Sequence, residues 1–479
     1  MNFIKVCFWN LQNLFDTTLS DLALDFDYTP SNGWDETVRD IKIDNLVKGI
    51  SSTFSSGPDL IGMCEIENEY LAQEIATKLN RTLNRNDYSI AKYKDSPDIR
   101  GIDTCLIYSN SIFEFIESKS YNIDLRYPTR DIFYVKLKVL NNNSNLHVFV
   151  NHWPSRRGKD DFTESDETEF ARSLVAENCG KLIDDIIKIP KEESHRLPKC
   201  LIDCPEYESD FKFNDQDAIS DKLDREKLMK QHENLIKKLD DAWNENIILM
   251  GDFNDEPYNK SLVKFLNATP NLDLLRDWRT IFQLKRKDWD NTKPDRETYL
   301  EEKPYLYNCM WKLIPDGTHY FYKTNSLFLF DQFIVSQGLL KNLKNLKIDL
   351  DSIKIHKNCI SVGSNLLEEN FSDNVNYKNK KKLHSYQKYS PLAFRFSKTK
   401  IFDLNKDVKE KKELEIILQE ALQLNLNENI TKLIKDKLKG LTERLDKIQK
   451  DKGYYSNFVQ DPNTGFSDHF PIKCIIEIN

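Results

Sequence analysis

The sequence predicts an α/β protein, and two observations carry the prediction. Strand-like runs alternate along the chain with stretches of helical periodicity, and apolar runs repeatedly end on a polar side chain for which a buried strand has no use. Two segments show the second feature best. Asn246-Ile247-Ile248-Leu249-Met250 leads into Gly251-Asp252-Phe253-Asn254-Asp255, and Ser467-Asp468-His469 precedes the run from Phe470 to Ile476. Side chains alternate along a strand, so the Asp252 carboxylate and the Asn254 carboxamide should emerge on one face at its end. Carboxylate, carboxamide and imidazole together point to metal-assisted hydrolysis of a phosphate ester.

The elements follow in order. Ile4 to Asn10 alternates like a half-buried strand and ends in Asn10, and Asp59 to Glu65 reads as a buried strand ending in Glu65. Between them, Ile41, Leu46, Val47 and Ile50 recur at helical spacing within Thr37 to Ser55, and Tyr70 to Arg81 reads as a second helix. Residues 88 to 151 are strand-rich: Tyr88 to Tyr93, Thr104 to Tyr108, Ile132 to Val139 and Leu146 to Val150, joined by Asn- and Asp-rich turns. The last of these runs through Asn151-His152-Trp153-Pro154 into the basic loop Ser155-Arg156-Arg157-Gly158. A helix over Glu164 to Ile189 stops at Pro190, a polar insertion occupies about 191–224, and a helix near Lys227 to Trp243 returns to the strand before Asp252. Ser326 to Val335 reads as one apolar strand carrying a single acid, Asp331.

A catalytic domain over 1–337 and 456–479 is therefore expected, interrupted by a larger insertion at 338–455. The first half of that insertion, Asn374 to Lys382 included, is rich in Asn and Lys and is expected to be a mobile loop. In the second half Val408, Leu414, Ile417, Leu418 and Leu422 form one apolar stripe, and Ile434, Leu438, Leu441, Leu445 and Ile448 another. Separated by Asn425 to Asn429, they predict a helical hairpin over about 404–450, either packed on itself, offered to a protein partner or forming a wall on the substrate side.

Composition narrows the class. The 479 residues are 39% hydrophobic and 30% charged, enough for a sizeable core beneath a heavily solvated surface. A net charge of −8 argues against a protein whose whole surface grips nucleic acid. It leaves room for a local basic rim, for which Arg126, Arg130, Arg156, Arg157 and Lys159 are candidates or else ordinary solvated charges. No apolar run is long enough to cross a membrane, and a chain that enters a strand at once is not expected to carry a signal peptide. Nine cysteines scattered singly through strand-like runs fit reduced thiols in a cytoplasmic protein. His195, Cys200 and Cys204 lie close together, but a zinc site needs a fourth ligand, so a plain loop is the simpler reading.

The order Asn10, Glu65, His152, Asp252/Asn254, Asp331 and Asp468/His469 resembles the endonuclease/exonuclease/phosphatase superfamily. The start Asn10-Leu11-Gln12-Asn13-Leu14-Phe15-Asp16, together with Arg100-Gly101-Ile102-Asp103, Asn151 to Gly158 and Gly251 to Pro257, resembles its bacterial-type nuclease-like branch. The resemblance implies a four-layer sandwich of two packed mixed β-sheets flanked by helices, with the active site at one end. Two departures stand out. Relatives specific for abasic sites often carry an acid where this chain has Gln12, and the Pro-Ala-Trp-Cys-Asp-Arg run of phosphoinositide phosphatases is missing.

Roles are assigned on that basis. Glu65 is the leading ligand for Mg²⁺, with Mn²⁺ as the substitute, because hard cations take oxygen donors and keep several waters; the alternative is a salt-bridged structural acid. Asn10 and Asp468 complete the metal set, although Asn10 could instead cap a turn. As the resemblance implies, Asp252 aligns or deprotonates the attacking water and Asn254 donates to a phosphate oxygen. His469 is expected to face the phosphate with Asp331 holding its other ring nitrogen, and His152 to donate to a phosphate oxygen or protonate the leaving oxygen. Arg100 and Arg130 are candidates for phosphate contact, and Arg156 and Arg157 for substrate positioning. The resulting expectation is a nuclease acting on DNA or RNA. A lipid or small-molecule phosphoesterase and a non-catalytic scaffold are the alternatives.

Overall fold

Alternation in the first residues puts Ile4, Val6 and Phe8 on one face of a strand and Trp9 and Leu11 on the other, all without exposure. A strand apolar on both faces needs cover on both, and the rest of the chain supplies it. The structure is a computed structural model. It describes residues 3–18, 28–92, 95–125, 128–156, 166–194, 221–275, 277–278, 303–321, 326–357, 391–394 and 465–479, with a set of helical residues between 411 and 442.

In chain order the first half contains β1 (Phe3–Leu14), α1 (Glu36–Ser51), β2 (Leu60–Ile66), α2 (Glu69–Thr82), β3 (Tyr88–Ile90), β4 (Asp103–Ser109), β5 (Phe113–Tyr121), β6 (Ile132–Val139), β7 (Asn145–His152) and α3 (Asp166–Ile187). The second half contains α4 (Lys191–Ser194), α5 (Asp221–Trp243), β8 (Ile247–Asp252), β9 (Ala268–Thr269), β10 (Leu306–Asn308), β11 (His319–Phe321), β12 (Ser326–Phe328), β13 (Asp331–Val335), α6 (Gln337–Lys341), β14 (Leu346–Ile355) and β15 (Ile472–Ile478). One sheet runs β14-β15-β1-β2-β4-β3, the other β5-β6-β7-β8-β13-β10-β9, and β11-β12 is a separate hairpin. Both large sheets are mixed. β1 runs parallel to β2 through α1, and β7 runs parallel to β8 through α3 and α5; β15, β4, β6 and β13 pair antiparallel with these strands.

Three apolar clusters account for four layers. Val6, Phe8, Leu60, Val148, Val150, Ile248, Met250 and Phe333 fill the space between the sheets. Trp9, Ile61 and Met63 pack beneath Leu46, Ile50, Leu71 and Ile75 of α1 and α2, and Phe149 and Leu249 beneath Val175, Cys179 and Ile183 of α3. The helices start where their caps predict: the Asp35 side chain accepts from Val38 N at 2.9 Å and that of Asn68 from Leu71 N at 3.1 Å. Close approach of the sheets requires Gly62, where an added Cβ would lie 2.4 Å from Met250 Sδ. Cys7, Cys64, Cys105, Cys179, Cys309 and Cys474 are buried thiols.

Several sequence expectations shift. The run from Ser326 to Val335 is two strands: β12 pairs with β11, and Leu329-Phe330 breaks away so that Phe330 O accepts from Phe253 N at 2.9 Å. Asp331 therefore heads β13 instead of sitting inside a longer strand. β5 was not anticipated, because its burial alternates only weakly. Residues 346–355, assigned from the sequence to the insertion, form β14 at the edge of the first sheet against β15, with Leu346, Ile348 and Ile353 turned into the core. Residues 414–420 are helical as the periodicity predicted, but Ile417 and Leu422 of the apolar stripe are exposed. The hairpin turn at 425–429, the Asn- and Lys-rich stretch 374–382, most of the polar insertion, and His195, Cys200 and Cys204 lie outside the described residues.

Candidate active site

The sheet registers bring the polar strand ends together. His152 pairs with Asp252 across β7 and β8, and Asp252 with Asp331 across β8 and β13, so the three side chains stand in one row on one face. That face continues the inward parity of Val148, Val150, Ile248 and Met250. On the facing sheet Asn10 continues the parity of Val6 and Phe8, and its Nδ2 crosses the gap to donate to Asp252 Oδ2 at 3.0 Å. Burial that fills the middle of the sandwich with carbon thus leaves four polar groups converging at the carboxyl ends of its parallel strands.

Glu65 does not belong to the inward parity of β2, where Leu60 and Cys64 face the core. A bulge puts it there. The β2–β4 register slips between Cys64 and Ile66, and Glu65 takes φ 61°, the left-handed region that a non-glycine residue enters at a cost of about 1–3 kcal/mol. β1 bulges beside it, with Gln12 and Asn13 both at φ 55° and the register slipping between Asn10 and Leu14. The two distortions meet: Asn13 N donates to Glu65 Oε2 at 2.8 Å, and Asn10 Oδ1 accepts from Gln12 N at 2.9 Å. Glu65 Oε1 is left 3.5 Å from His152 Nε2, which is itself 3.9 Å from Asp252 Oδ2.

His469 arrives just before β15. Ser467 Oγ donates to Asn10 O at 2.6 Å and accepts from His469 N at 3.1 Å, while Trp9 Nε1 donates to His469 O at 2.8 Å. The ring then lies with Nδ1 2.7 Å from Asp331 Oδ2 and Nε2 3.8 Å from Asp252 Oδ2. Thr318 fixes Asp331 from behind, its Oγ1 accepting from Asp331 N at 3.1 Å. The His319 ring covers His469 at a centroid distance of 4.4 Å.

The charges follow from these positions. Burial alone would lower His469, but the negative charges of Asp331 and Asp252 and the hydrogen bond to Asp331 overcome it and push the imidazole up to about 10. Burial raises the Asp252 carboxyl above the usual carboxylate range, against the pull of the His469 charge. His152 is held well below the ordinary imidazole value by burial, reinforced by the positive charges of Arg130, Arg100 and His469. His319 falls to about 4, chiefly through burial and then through the charge on His469. One imidazolium lies between two carboxylates, with neutral imidazoles at its flanks.

Asn254 stands beyond the end of β8, so simple alternation does not place it. It is turned back by φ 50°, with its N donating to Asp252 Oδ1 at 2.9 Å and its Nδ2 to Trp153 O at 3.0 Å. The next residue anchors the turn: Asp255 receives Arg156 at 3.1 Å, Arg172 at 2.8 Å and Ser261 Oγ at 2.5 Å. Gly251 is required just before it, since a Cβ there would lie 2.4 Å from Asn151 O and split β7 from β8.

The sequence-predicted arginines divide. Arg130 is buried, donating to Asp98 Oδ2 at 2.8 Å and to the carbonyls of His152 and Trp153 at 3.2 and 2.7 Å. These three bonds tie the His152 loop to Asp98, a role beyond the phosphate contact that the sequence suggested. Arg156 is likewise held by Asp255, Asn254 O and Asn259, with its guanidinium over Phe328 and Phe330. Arg100 keeps 43% of its side chain exposed beside Asp98 and lies close enough to lower His152. Arg157, with Arg126 and Lys159, lies outside the described residues.

The donor set fits a hard divalent cation. Glu65 keeps 14% of its side chain exposed, and the Asp468 carboxylate lies close enough that it and Glu65 both act to raise the buried amine of Lys42, which burial nevertheless lowers to about 7. Asn10 Oδ1 retains a lone pair beside its bond from Gln12 N. Asp468 also stands within ligand distance of His319 and His469. Oxygen donors dominate the Glu65 side, as magnesium and manganese prefer.

Sequence reasoning overlooked Lys42, Asp98, Arg172, Thr318 and His319. Lys42 carried a legible signal, since it falls on the buried stripe of α1 with Ile43, Leu46 and Ile50. His319 carried none: its relation to His469 is created by the β11–β12 hairpin and the bridge between the two residues.

A two-sheet sandwich with flanking helices, closed at one end by oxygen donors and an acid-held imidazole, is the architecture that the resemblance implied. A family model described as Endonuclease/Exonuclease/phosphatase family matches residues 5–209, less than half of the chain. The segments of Asp252, Asp331 and His469 fall beyond the match. Similar solved structures include an endonuclease/exonuclease/phosphatase family protein from Bacteroides thetaiotaomicron, at 13% identity and TM-score 0.36 over 74% of this chain and 87% of that one. A mannosyl-6-phosphatase from Bacteroides thetaiotaomicron VPI-5482 has 13% identity and TM-score 0.36 over 74% and 89%. The human Nocturnin catalytic domain has 12% identity and TM-score 0.34 over 72% and 85%. No curated protein sequence matches the chain. Among the described residues no helix is long and apolar enough to cross a membrane.

Proposed function

We propose that this chain is a divalent-metal-dependent phosphodiesterase, a nuclease that hydrolyses DNA or RNA by in-line attack of water on phosphorus. The observation that carries the reading is the row His152, Asp252, Asp331 facing Asn10 and Glu65, with His469 clamped by Asp331 at 2.7 Å. A scaffold that only binds has no need of an imidazolium held between two buried carboxylates.

Glu65, with Asn10 and Asp468, would hold Mg²⁺ or Mn²⁺, which supplies Lewis-acid stabilisation of the phosphate oxygens. Asp252, aligned by Asn10 Nδ2 and Asn254 N, takes the proton of the attacking water. His469, kept protonated by Asp331, donates to a phosphate oxygen as charge builds. His152, held neutral by burial, presents Nε2 as a donor to a phosphate oxygen. Asn254 has one amide hydrogen committed to Trp153 O and the second available for phosphate.

The second reading is a small-molecule phosphoester. The net charge of −8, together with the engagement of Arg130 and Arg156, favours it, because these arginines are not free to follow a polyanionic backbone. The test is turnover of single- and double-stranded DNA, RNA, and lipid and sugar phosphoesters with Mg²⁺, Mn²⁺ or EDTA at controlled salt. Cleavage of a nucleic acid that EDTA abolishes and rising salt weakens supports the nuclease. Turnover undiminished by EDTA overturns the metal-dependent reading.

A further inference from the structure

Lys42 carries an amino group with 2% exposure, lowered to about 7 by burial, and has no part in the chemistry above. It reaches from α1 to the β1 bulge, where Nζ donates to Gln12 O and, at 3.2 Å, to Asn13 O. Trp34 and Phe394 close over the amino group at 5.6 and 5.3 Å. Burying a lysine is expensive unless its partners require it.

The requirement is visible in the bulge. Two consecutive non-glycine residues in the left-handed region turn their carbonyls out of the β1–β2 ladder into a buried space, where carbonyls need donors. The N–H groups of the turn are paired, Gln12 N with Asn10 Oδ1 and Asn13 N with Glu65 Oε2, and the Gln12 side chain pairs with the backbone of Phe394 through both its amide atoms. Lys42 supplies the two donors that would otherwise be missing. Without them the strained pair would relax toward ordinary strand, and the Asn13 N–H would leave Glu65.

We propose that Lys42 is a positioning residue for the metal site: its amino group holds Gln12 and Asn13 in the left-handed bulge, so that the Asn13 N–H fixes one Glu65 oxygen and leaves the other for the cation. This rests on the proposed metal dependence. The same helix steadies the His469 segment, since Asn45 Nδ2 donates to Gly465 O at 2.9 Å. α1 thus organises both halves of the site.

The test is calorimetric binding of Mn²⁺ to the full chain, alongside thermal unfolding. Lys42→Met keeps the stem and removes the donors; it should weaken Mn²⁺ binding about tenfold or more, the range for groups that orient a ligand. Lys42→Gln keeps a donor but is one atom too short for both carbonyls, and should weaken it about threefold or more. Either variant, folded and binding Mn²⁺ as tightly as the wild type, overturns the proposal, even if its melting temperature falls. Should Lys42→Met fail to fold, Lys42→Gln decides. A wild-type chain that binds no Mn²⁺ removes the metal reading itself, and the Lys42 proposal with it.

Discussion

Replacing Asp331 by Asn removes one negative charge from His469 and almost no volume. The geometry sets the scale. Across the 2.7 Å contact between His469 Nδ1 and Asp331 Oδ2, two unit charges at an effective dielectric of ~20 attract by ~6 kcal/mol. The rise of the His469 imidazole from 6.5 to about 10, net of burial, corresponds to about 5 kcal/mol in favour of the protonated ring. Asp252, 3.8 Å from the other ring nitrogen, remains in the variant and retains part of that preference. A loss of about 3 kcal/mol in that preference is therefore expected, which releases the proton about two pH units lower and costs up to roughly 10²-fold in kcat on the alkaline side. Asn also offers an N–H where the ring now finds an acceptor, which favours the wrong tautomer. The assay is kcat for Asp331→Asn and wild type on bis(p-nitrophenyl) phosphate or a labelled oligonucleotide, with saturating Mg²⁺, across the pH range. The basic limb should move to lower pH as His469 loses its hold on the proton. A kcat within about threefold of wild type, with the basic limb unmoved, would refute an Asp331-held imidazolium.

Glu65→Gln keeps the bulge but weakens the cation's main anionic ligand, so activity at limiting Mg²⁺ should fall by about two orders of magnitude and recover in part at high Mg²⁺; an unchanged Mg²⁺ titration would assign Glu65 to structure alone. Stability should depend on pH through His469. Its folded value lies above the ordinary 6.5, so the stabilisation is fully present below pH 6.5 and is lost as pH rises through about 10. Melting temperature should accordingly fall across that window in wild type and fall less in Asp331→Asn; equal slopes would contradict the assignment. Gly251→Ala drives a Cβ to 2.4 Å from Asn151 O, so β7 and β8 must separate where His152 and Asp252 pair. Activity should drop by more than the loss in melting temperature explains, whereas wild-type kcat in this variant would show that the row tolerates displacement.

Much of the site was legible before folding. Asn10, His152 and Asp252 continue the inward parity of their strands, and a polar residue where burial is due is readable from alternation alone. The Gly251-Asp252-Phe253-Asn254 turn and Ser467-Asp468-His469 announced themselves by position at the ends of apolar runs. Glu65 was named correctly as a strand-end acid, but its orientation was not legible, because a bulge reverses the parity that alternation assigns it. The partners of the arginines were not legible for a related reason. A guanidinium's worth as a phosphate contact depends on what it already holds, and Arg130 and Arg156 are held by Asp98 and Asp255.

By itself the sequence determined the α/β class, the strands and helices that lead into most of the site residues, and the inventory of oxygen and imidazole donors, because periodicity and composition are local properties of a chain. Tertiary structure decided the pairings. Asp331 meets His469 across 138 positions, Asn10 meets Asp252 across 242, and Lys42 meets the carbonyls of a bulge on another element. Sheet register and backbone distortion create those contacts, and both are properties of packed elements that no local pattern encodes.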